Sequence, residues 1–179
     1  MVSLEDYCRS SGDRRIIVAD TTAFLAALQL QAYSYLLVTT PDVIDEVRDS
    51  DSRDRLELAL EVGRVKIGRP SNKHLHKVLS KAVDIGEHGV LSRTDIGVAA
   101  LALELKEAGC EVIVVTDDYA LQNLLSHLGI VYKPLRTRGI TRRYKYIYVC
   151  PACGYVSYKP GERICPRCGT TLVKRRLKQ

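Results

Sequence analysis

Two short apolar runs in this chain each end on aspartate: Arg15-Ile16-Ile17-Val18-Ala19-Asp20 and Val112-Ile113-Val114-Val115-Thr116-Asp117-Asp118. Runs of β-branched residues bounded by polar ones predict strands buried on both faces, as in a parallel sheet covered by helices. In open α/β sheets, ligands bind beyond the carboxyl ends of the strands. Acids set at that edge by two strands therefore meet in one cleft. Clustered carboxylates favour a hard divalent cation, because oxygen ligands suit magnesium and manganese. The pattern implies metal-dependent phosphate chemistry.

The intervening sequence alternates strand and helix signals. Thr21-Thr22 caps a helix through Ala23–Leu28, and Leu36–Thr39 is a second strand. Pro41-Asp42 opens a helix carrying Val43, Ile44 and Val47, and another spans Ser52–Val62. Arg64–Ile67 alternates like an edge strand, and a polar amphipathic helix follows over Ser71–Val83. Ser92–Ala108 has the strongest helix signal: Ser92 and Asp95 form a capping box and Gly109 ends it. A helix over Asp118–Leu128 and a strand at Gly129–Tyr132 close the series. This alternation predicts a three-layer α/β sandwich with a central parallel sheet.

Charge divides the 179 residues unequally. From Lys133 onward there are 13 Lys and Arg but one acid, Glu162, a net of +12; the rest holds 14 basic and 20 acidic residues, a net of −6. An acidic body with a basic arm suits a carboxylate site beside a polyanion-binding surface. The composition break at 136–143 predicts a basic linker (136–145) and a small unit with a basic tail (146–179) after a main domain (14–135), with residues 1–13 as an N-terminal extension. No apolar stretch approaches a membrane span, and the first residues lack a secretory core, so a cytoplasmic location is expected.

Cys150-Pro151-Ala152-Cys153-Gly154 and Cys165-Pro166-Arg167-Cys168-Gly169 give C-x2-C, eleven residues, C-x2-C. Four thiolates in that pattern suit one tetrahedral zinc, closed to substrate and therefore structural. About thirty residues cannot build a sufficient core without it. Cys8 and Cys110 read as unpaired thiols. Among the histidines, His74 and His76 read as surface residues, and neither His88 nor His127 has ligand spacing. Arg142, Arg143, Tyr144, Lys145 and Tyr146 interleave cations with rings, which suits unpaired RNA; the same tyrosines alternate as a ribbon strand packing a small core would. Lys174, Arg175 and Arg176 form a basic tail suited to phosphate contact.

Asp20, Glu46, Asp95 and the pair Asp117/Asp118 occupy comparable places, at strand tips and on helix faces near them. Each alone is explained by a helix cap or a solvated surface; together they form a cluster whose mutual repulsion calls for a metal. Thr22 and Ser92 stand as hydroxyls that orient the carboxylates or water. One or two ions there would activate water and stabilise a leaving oxygen at a phosphodiester.

The segments VADTTAFL, TTPDVIDEV, LSRTDIGVAALALEL and VVTDDYALQNLL resemble, in order, the four acidic motifs of PIN-domain nucleases. With the cysteine knuckles they resemble the archaeal Nin-one-binding (Nob) endonuclease family over roughly Arg14 to Val173. The resemblance implies an Mn²⁺- or Mg²⁺-dependent RNA endonuclease that trims the 3′ end of precursor small-subunit rRNA on an assembling subunit. Its acidic quartet would be Asp20, Glu46, Asp95 and Asp118, with Asp117 adjoining. Two rivals remain at this point: a PIN ribonuclease of the toxin kind, and a non-catalytic RNA-binding assembly factor.

Overall fold

The computed structural model describes residues 15–157, 159 and 161–177. The extension expected at 1–13, Cys8 and Lys178 lie outside them. Five strands form one parallel sheet: β1 (Arg15–Ala19), β2 (Leu36–Thr39), β3 (Val65–Ile67), β4 (Glu111–Val115) and β5 (Val131–Lys133), in the order β3-β2-β1-β4-β5. Each apolar run becomes a central strand, and the two shorter ones become edges. The helices are α1 (Thr21–Leu25), α2 (Pro41–Glu46), α3 (Ser50–Glu61), α4 (Asn72–Asp84), α5 (Arg93–Glu107) and α6 (Tyr119–His127), with a 3-10 turn at Leu28–Leu30. Together they make a three-layer α/β sandwich.

The register positions the site. Ala19 of β1 lies opposite Val115 of β4, so Asp20 and Thr116 leave the sheet side by side. The Asp20 amide donates to the Val115 carbonyl at 3.2 Å, carrying the pairing one residue past the strands. β1 has β2 on one side and β4 on the other, so this edge is the topological switch point where α/β sheets bind ligands. Helix α5 is buried along most of its length and packs on β1, β4 and α4. Burying its Ile, Val, Leu and Ala side chains holds Asp95, in its first turn, at a fixed height above the sheet.

Three local expectations change. His74 is buried, not surface: its ring nitrogens meet Ser71 Oγ at 2.8 Å and Glu107 Oε2 at 3.1 Å, so α4 presents it to α5. Cys110 is disulfide-bonded rather than a free thiol, and its partner lies outside the described residues. Lys174, Arg175 and Arg176 are not a loose tail. They belong to β8 (Val173–Arg176), which pairs with β6 (Tyr146–Val149); β7 (Val156–Ser157) completes the second, antiparallel sheet in the order β7-β6-β8.

Among the described residues, the apolar core of that small sheet and the two knuckles is Cys150, Cys165 and Leu172, with Tyr148 and Tyr155 packed against them. The unit docks on the turn between α4 and α5. The Tyr146 amide donates to the Ile85 carbonyl at 2.9 Å, and Lys174 forms an ion pair with buried Glu87. Gly86, at φ +73°, permits this approach, since a Cβ there would lie 2.3 Å from the Tyr146 carbonyl oxygen.

Candidate active site and cysteine tetrad

Asp20 caps α1 and is 6% exposed. Its Oδ1 accepts from the Thr21 amide and its Oδ2 from the Thr116 hydroxyl, each at 2.7 Å. Burial, with added repulsion from Asp95 and Glu46, lifts its pKa to about 6 against the pull of those two bonds. Asp95 is also raised, first by burial and then by Asp118 and Glu46; the Ser92 capping box holds it at 2.7 Å from the Ser92 amide. Glu46 ends α2, and its two oxygens are clamped by Thr21 Oγ1 at 2.8 Å and Thr94 Oγ1 at 2.5 Å. Asp118 caps α6, accepting from the Ala120 and Leu121 amides through Oδ1.

Among the described residues, the donors to these four acids are neutral amides and hydroxyls. Among the described residues no lysine or arginine forms an ion pair with any of them. A group of carboxylates in which Asp20 and Asp95 are raised by burial and by their acidic neighbours, aligned by neutral donors, fits a divalent ion. The carboxylates form an open cradle. Among the described residues, only the cysteines bring three or more ligand atoms all within 4.8 Å of one another. An open cradle suits Mg²⁺ or Mn²⁺ retaining several waters.

The doubled aspartate separates into two tasks. Asp118 faces Asp95, whereas Asp117 accepts from the amides of Leu135, Arg136 and Thr137 and from the Thr137 hydroxyl. Burial pushes Asp117 upward, but those donors outweigh it and hold the carboxyl below the ordinary range. Asp117 thus fastens the chain leaving β5 and is turned away from the acid cluster. The hydroxyl of Thr22 is buried with no partner among the described residues. Its expected place beside the carboxylates is taken by Thr21, Thr94 and Thr116, while Ser92 does hold Asp95.

Beyond Asp117, the same motif stitches the basic segment onto α6. Gln122 Oε1 accepts from the Ile140 amide at 3.0 Å, and Asn123 exchanges bonds with the Tyr144 backbone at 2.9 and 3.0 Å. Asn123 also donates to Glu87, which is 2% exposed and pairs with Lys174. The predicted linker is therefore fixed along its length. Pairing of Tyr146 with Arg176 and Tyr148 with Lys174 puts those four side chains on one face of the ribbon and Arg175 on the other. Arg176 lies 3.8 Å from the Tyr144 ring centre and Lys174 4.0 Å from that of Tyr146. The tyrosines divide as well: Tyr148 packs the ribbon core, while Tyr144 and Tyr146 line a cleft that reaches Asp118. Arg142, Lys145 and Arg175 are exposed, and Arg143 bonds Ser126 Oγ at 3.0 Å.

The four ribbon sulfurs sit in two knuckles closed by Gly154 and Gly169, both at positive φ. Sγ separations are 3.4 Å for Cys150–Cys168, 3.5 Å for Cys153–Cys165 and 3.6 Å for Cys153–Cys168. A disulfide would need about 2.05 Å, whereas a tetrahedron with metal–sulfur bonds of about 2.3 Å has edges near 3.8 Å. The Thr170 hydroxyl and amide draw Cys168 down to about 6, while Cys153 is pushed up to about 12. Thiols this close cannot all ionise without a cation between them, so the tetrad is suited to a metal dication.

Comparison with known proteins agrees with this geometry. A family model described as PIN domain of ribonuclease matches residues 17–105, taking in Asp20, Glu46 and Asp95. An endoribonuclease Nob1 of Pyrococcus abyssi is 40% identical over 164 residues, covering 89% of this chain and 94% of that protein. An alignment of that length continues past the 135 residues that precede the basic segment. The chain belongs to the Nob1 family of PIN-domain endoribonucleases. A protein named ribonuclease VapC3 of Aeropyrum pernix is 44% identical over 132 residues, covering 74% of this chain and 94% of that protein. The 20S-pre-rRNA D-site endonuclease NOB1 of Saccharomyces cerevisiae is 32% identical over 94 residues, covering 51% of this chain and 20% of that protein. Among the described residues no helix is long and apolar enough to cross a membrane.

Proposed function

We infer that this protein is a divalent-metal-dependent endoribonuclease that cleaves precursor small-subunit rRNA at its 3′ end during ribosome assembly. The observation that carries the reading is the quartet of Asp20, Glu46, Asp95 and Asp118, unpaired with any lysine or arginine among the described residues, whose Asp118 borders a cleft lined in part by the ribbon's tyrosines and cations. The rRNA end is drawn from the Nob1 relatives and the name of the yeast protein. On this reading residues 14–135 are the nuclease unit, 136–145 a linker stitched to α6, and 146–179 an RNA-holding ribbon.

Asp20, Glu46, Asp95 and Asp118 would hold one or two Mn²⁺ or Mg²⁺ ions, which supply a polarised phosphate and an activated water. The chain's own contribution is alignment. Thr116 and Thr21 fix Asp20, the Thr21–Thr94 clamp fixes Glu46, and the capping box fixes Asp95. Burial raises Asp20 to about 6, so proton and metal compete for it near that pH. The cysteine tetrad would hold one structural zinc. Arg142, Arg143, Lys145 and Arg175 lie on the exposed path from linker to ribbon and suit phosphate contact, while Arg176, Lys174, Tyr144 and Tyr146 face the cleft.

The likeness to the protein named VapC3 favours a second reading, a free-standing PIN ribonuclease acting on other RNA. The ribbon stitched over the acid cleft favours the first. The deciding experiment incubates the protein with an rRNA fragment spanning the mature 3′ end, plus Mn²⁺ or Mg²⁺, and maps the products. A single cut at the mature end, absent in Asp20→Asn and on unrelated RNA of equal length, is expected. Equal cleavage of both RNAs would favour the second reading, and no metal-dependent cleavage would end both.

A further inference from the structure

The cleft that reaches Asp118 encloses about 600 Å³. Of the four acids in the quartet, Asp118 alone borders it, so the cleft opens sideways from the acid cluster rather than above it. Its lining combines an apolar and aromatic wall with the charged side chains of Glu87, Asp117, Asp118, Lys174 and Arg176. Tyr119 follows Asp118 directly, and it and Val90 are 53% and 54% exposed; Ile140, Tyr144 and Tyr146 line the cleft with them. Two large side chains this exposed beside an acid cluster mark a surface meant to be covered.

The cations have a different arrangement. Lys174 is neutralised by Glu87. Arg176 has no carboxylate partner among the described residues and is held over the Tyr144 ring. An arginine positioned by a ring rather than by an acid retains its charge for an incoming anion. A guest matching this cleft therefore carries a flat apolar body for the rings and an anion for Arg176, close to the phosphodiester chemistry at Asp118. A nucleic-acid duplex is too broad for such a space, whereas one unpaired base with its phosphate matches it.

We propose that Tyr119, Val90, Ile140, Tyr144 and Tyr146, with Arg176, form a subsite for one unpaired nucleotide of the RNA substrate, next to the phosphate that is cut. This rests on the nuclease reading and adds a place for one base, with Tyr119 as its stacking residue. Adjacency follows from the chain: Tyr119 is one residue, about 3.8 Å of backbone, from Asp118. Stacking accepts any base, so the subsite enforces single-strandedness rather than sequence.

The test uses the full-length Asp20→Asn protein and a single-stranded rRNA oligonucleotide in which 2-aminopurine replaces each nucleotide around the cut in turn. Quenching at one position beside the cut is expected. Adding Tyr119→Ala should abolish that quenching and weaken binding about tenfold, the size of one lost base–aromatic stack, while Tyr119→Phe keeps both. In the cleavage-competent protein, Tyr119→Ala should lower kcat/KM about tenfold on the intact oligonucleotide. It should have no further effect when that nucleotide is abasic. Unchanged quenching and affinity in both Tyr119→Ala and Arg176→Ala would overturn the subsite, as would equal quenching within a duplex. If even the wild type cleaves no RNA, the nuclease reading falls, and the quenching measurement still decides the subsite.

Discussion

Thr116 and Asp20 stand 96 residues apart in sequence, yet the Thr116 hydroxyl donates to Asp20 Oδ2 at 2.7 Å while accepting from the Asp118 amide at 3.1 Å. One buried hydroxyl thus ties the tip of β1 to the cap of α6. The parallel pairing of β1 with β4 makes this possible by bringing the two strands out at the same level. Thr116→Val keeps the shape and removes both bonds. We expect a stability loss of about 1–3 kcal/mol and roughly tenfold weaker Mn²⁺ activation, with Thr116→Ser restoring most of both. A metal titration of cleavage, read beside a denaturant melt, checks it; wild-type metal dependence in Thr116→Val would remove Thr116 from the site.

Asp20 gives a pH signature. Its folded pKa of about 6 lies above the ordinary 3.8, so the folded metal-free protein binds this proton more tightly than the unfolded chain. Its contribution to stability is complete below about pH 4 and is lost as pH rises through about 6. The full swing is on the order of 3 kcal/mol. In metal-free buffer the stability of wild type relative to Asp20→Asn should fall between pH 4 and 7, and Mn²⁺ should reverse the fall for wild type alone. Cleavage should decline below about pH 6, where the proton displaces the metal. A pH-independent difference between the two proteins would show that Asp20 is not burdened in this way.

The ribbon's attachment depends on Gly86 and Glu87. Gly86→Ala puts a methyl group 2.3 Å from the Tyr146 carbonyl oxygen at a φ of +73°, and Lys174→Ala leaves Glu87 buried without its cation. Either change should release the ribbon while the parallel sheet stays folded; the second costs about 3–5 kcal/mol of docking. Limited proteolysis is the readout, with cleavage rising between residues 134 and 146. Glu87→Gln keeps an amide or oxygen for Asn123 and should have a smaller effect. Unchanged protease resistance in Gly86→Ala would mean that β6 docks without this contact.

What could be read in the chain followed the range of each signal. The strand tips at Asp20 and Asp118, the cap at Ser92–Asp95 and the two cysteine knuckles are local patterns, visible within a few residues. The three threonines that touch the carboxylates were not visible. Thr21 and Thr22 are alike in sequence, and only helix geometry turns one hydroxyl to Glu46. Asp117, Gln122 and Asn123 looked like parts of a nuclease motif, but their side chains serve partners 18 to 21 residues downstream. The run Lys174-Arg175-Arg176 has no apolar alternation, so nothing in it announced a strand that separates Arg175 from its neighbours.

Zinc should hold the ribbon and only the ribbon. Metal analysis should find about one zinc per chain, and Cys150→Ser or Cys168→Ser should unfold the small sheet, whose apolar core among the described residues is Cys150, Cys165 and Leu172. Far-UV and thermal measurements should show the nuclease unit melting as before, because its core shares none of those residues. A metal-free protein with the ribbon amides still protected from hydrogen exchange would refute this.

The stitches between α6 and the basic segment decide where the chain can be cut. Truncation after Leu135 strips Gln122 and Asn123 of the Ile140 and Tyr144 backbone groups they serve, and Asp117 of the Arg136 and Thr137 amides. Truncation after Tyr144 keeps all of these bonds and removes the ribbon with eight Lys and Arg and one acid. The longer fragment should therefore be the more stable by a few kcal/mol, since buried polar groups left unpaired cost about 1–3 kcal/mol each. It should keep slow, metal-dependent cleavage of saturating RNA, because the four acids and their donors all lie before residue 122. Its RNA affinity should fall steeply and depend less on salt than that of the whole chain, with fewer counterions released on binding. Filter binding at several salt concentrations gives the slopes. Equal slopes for the Tyr144 fragment and the full chain would place RNA binding on the nuclease unit and leave the ribbon's cations as solvated surface.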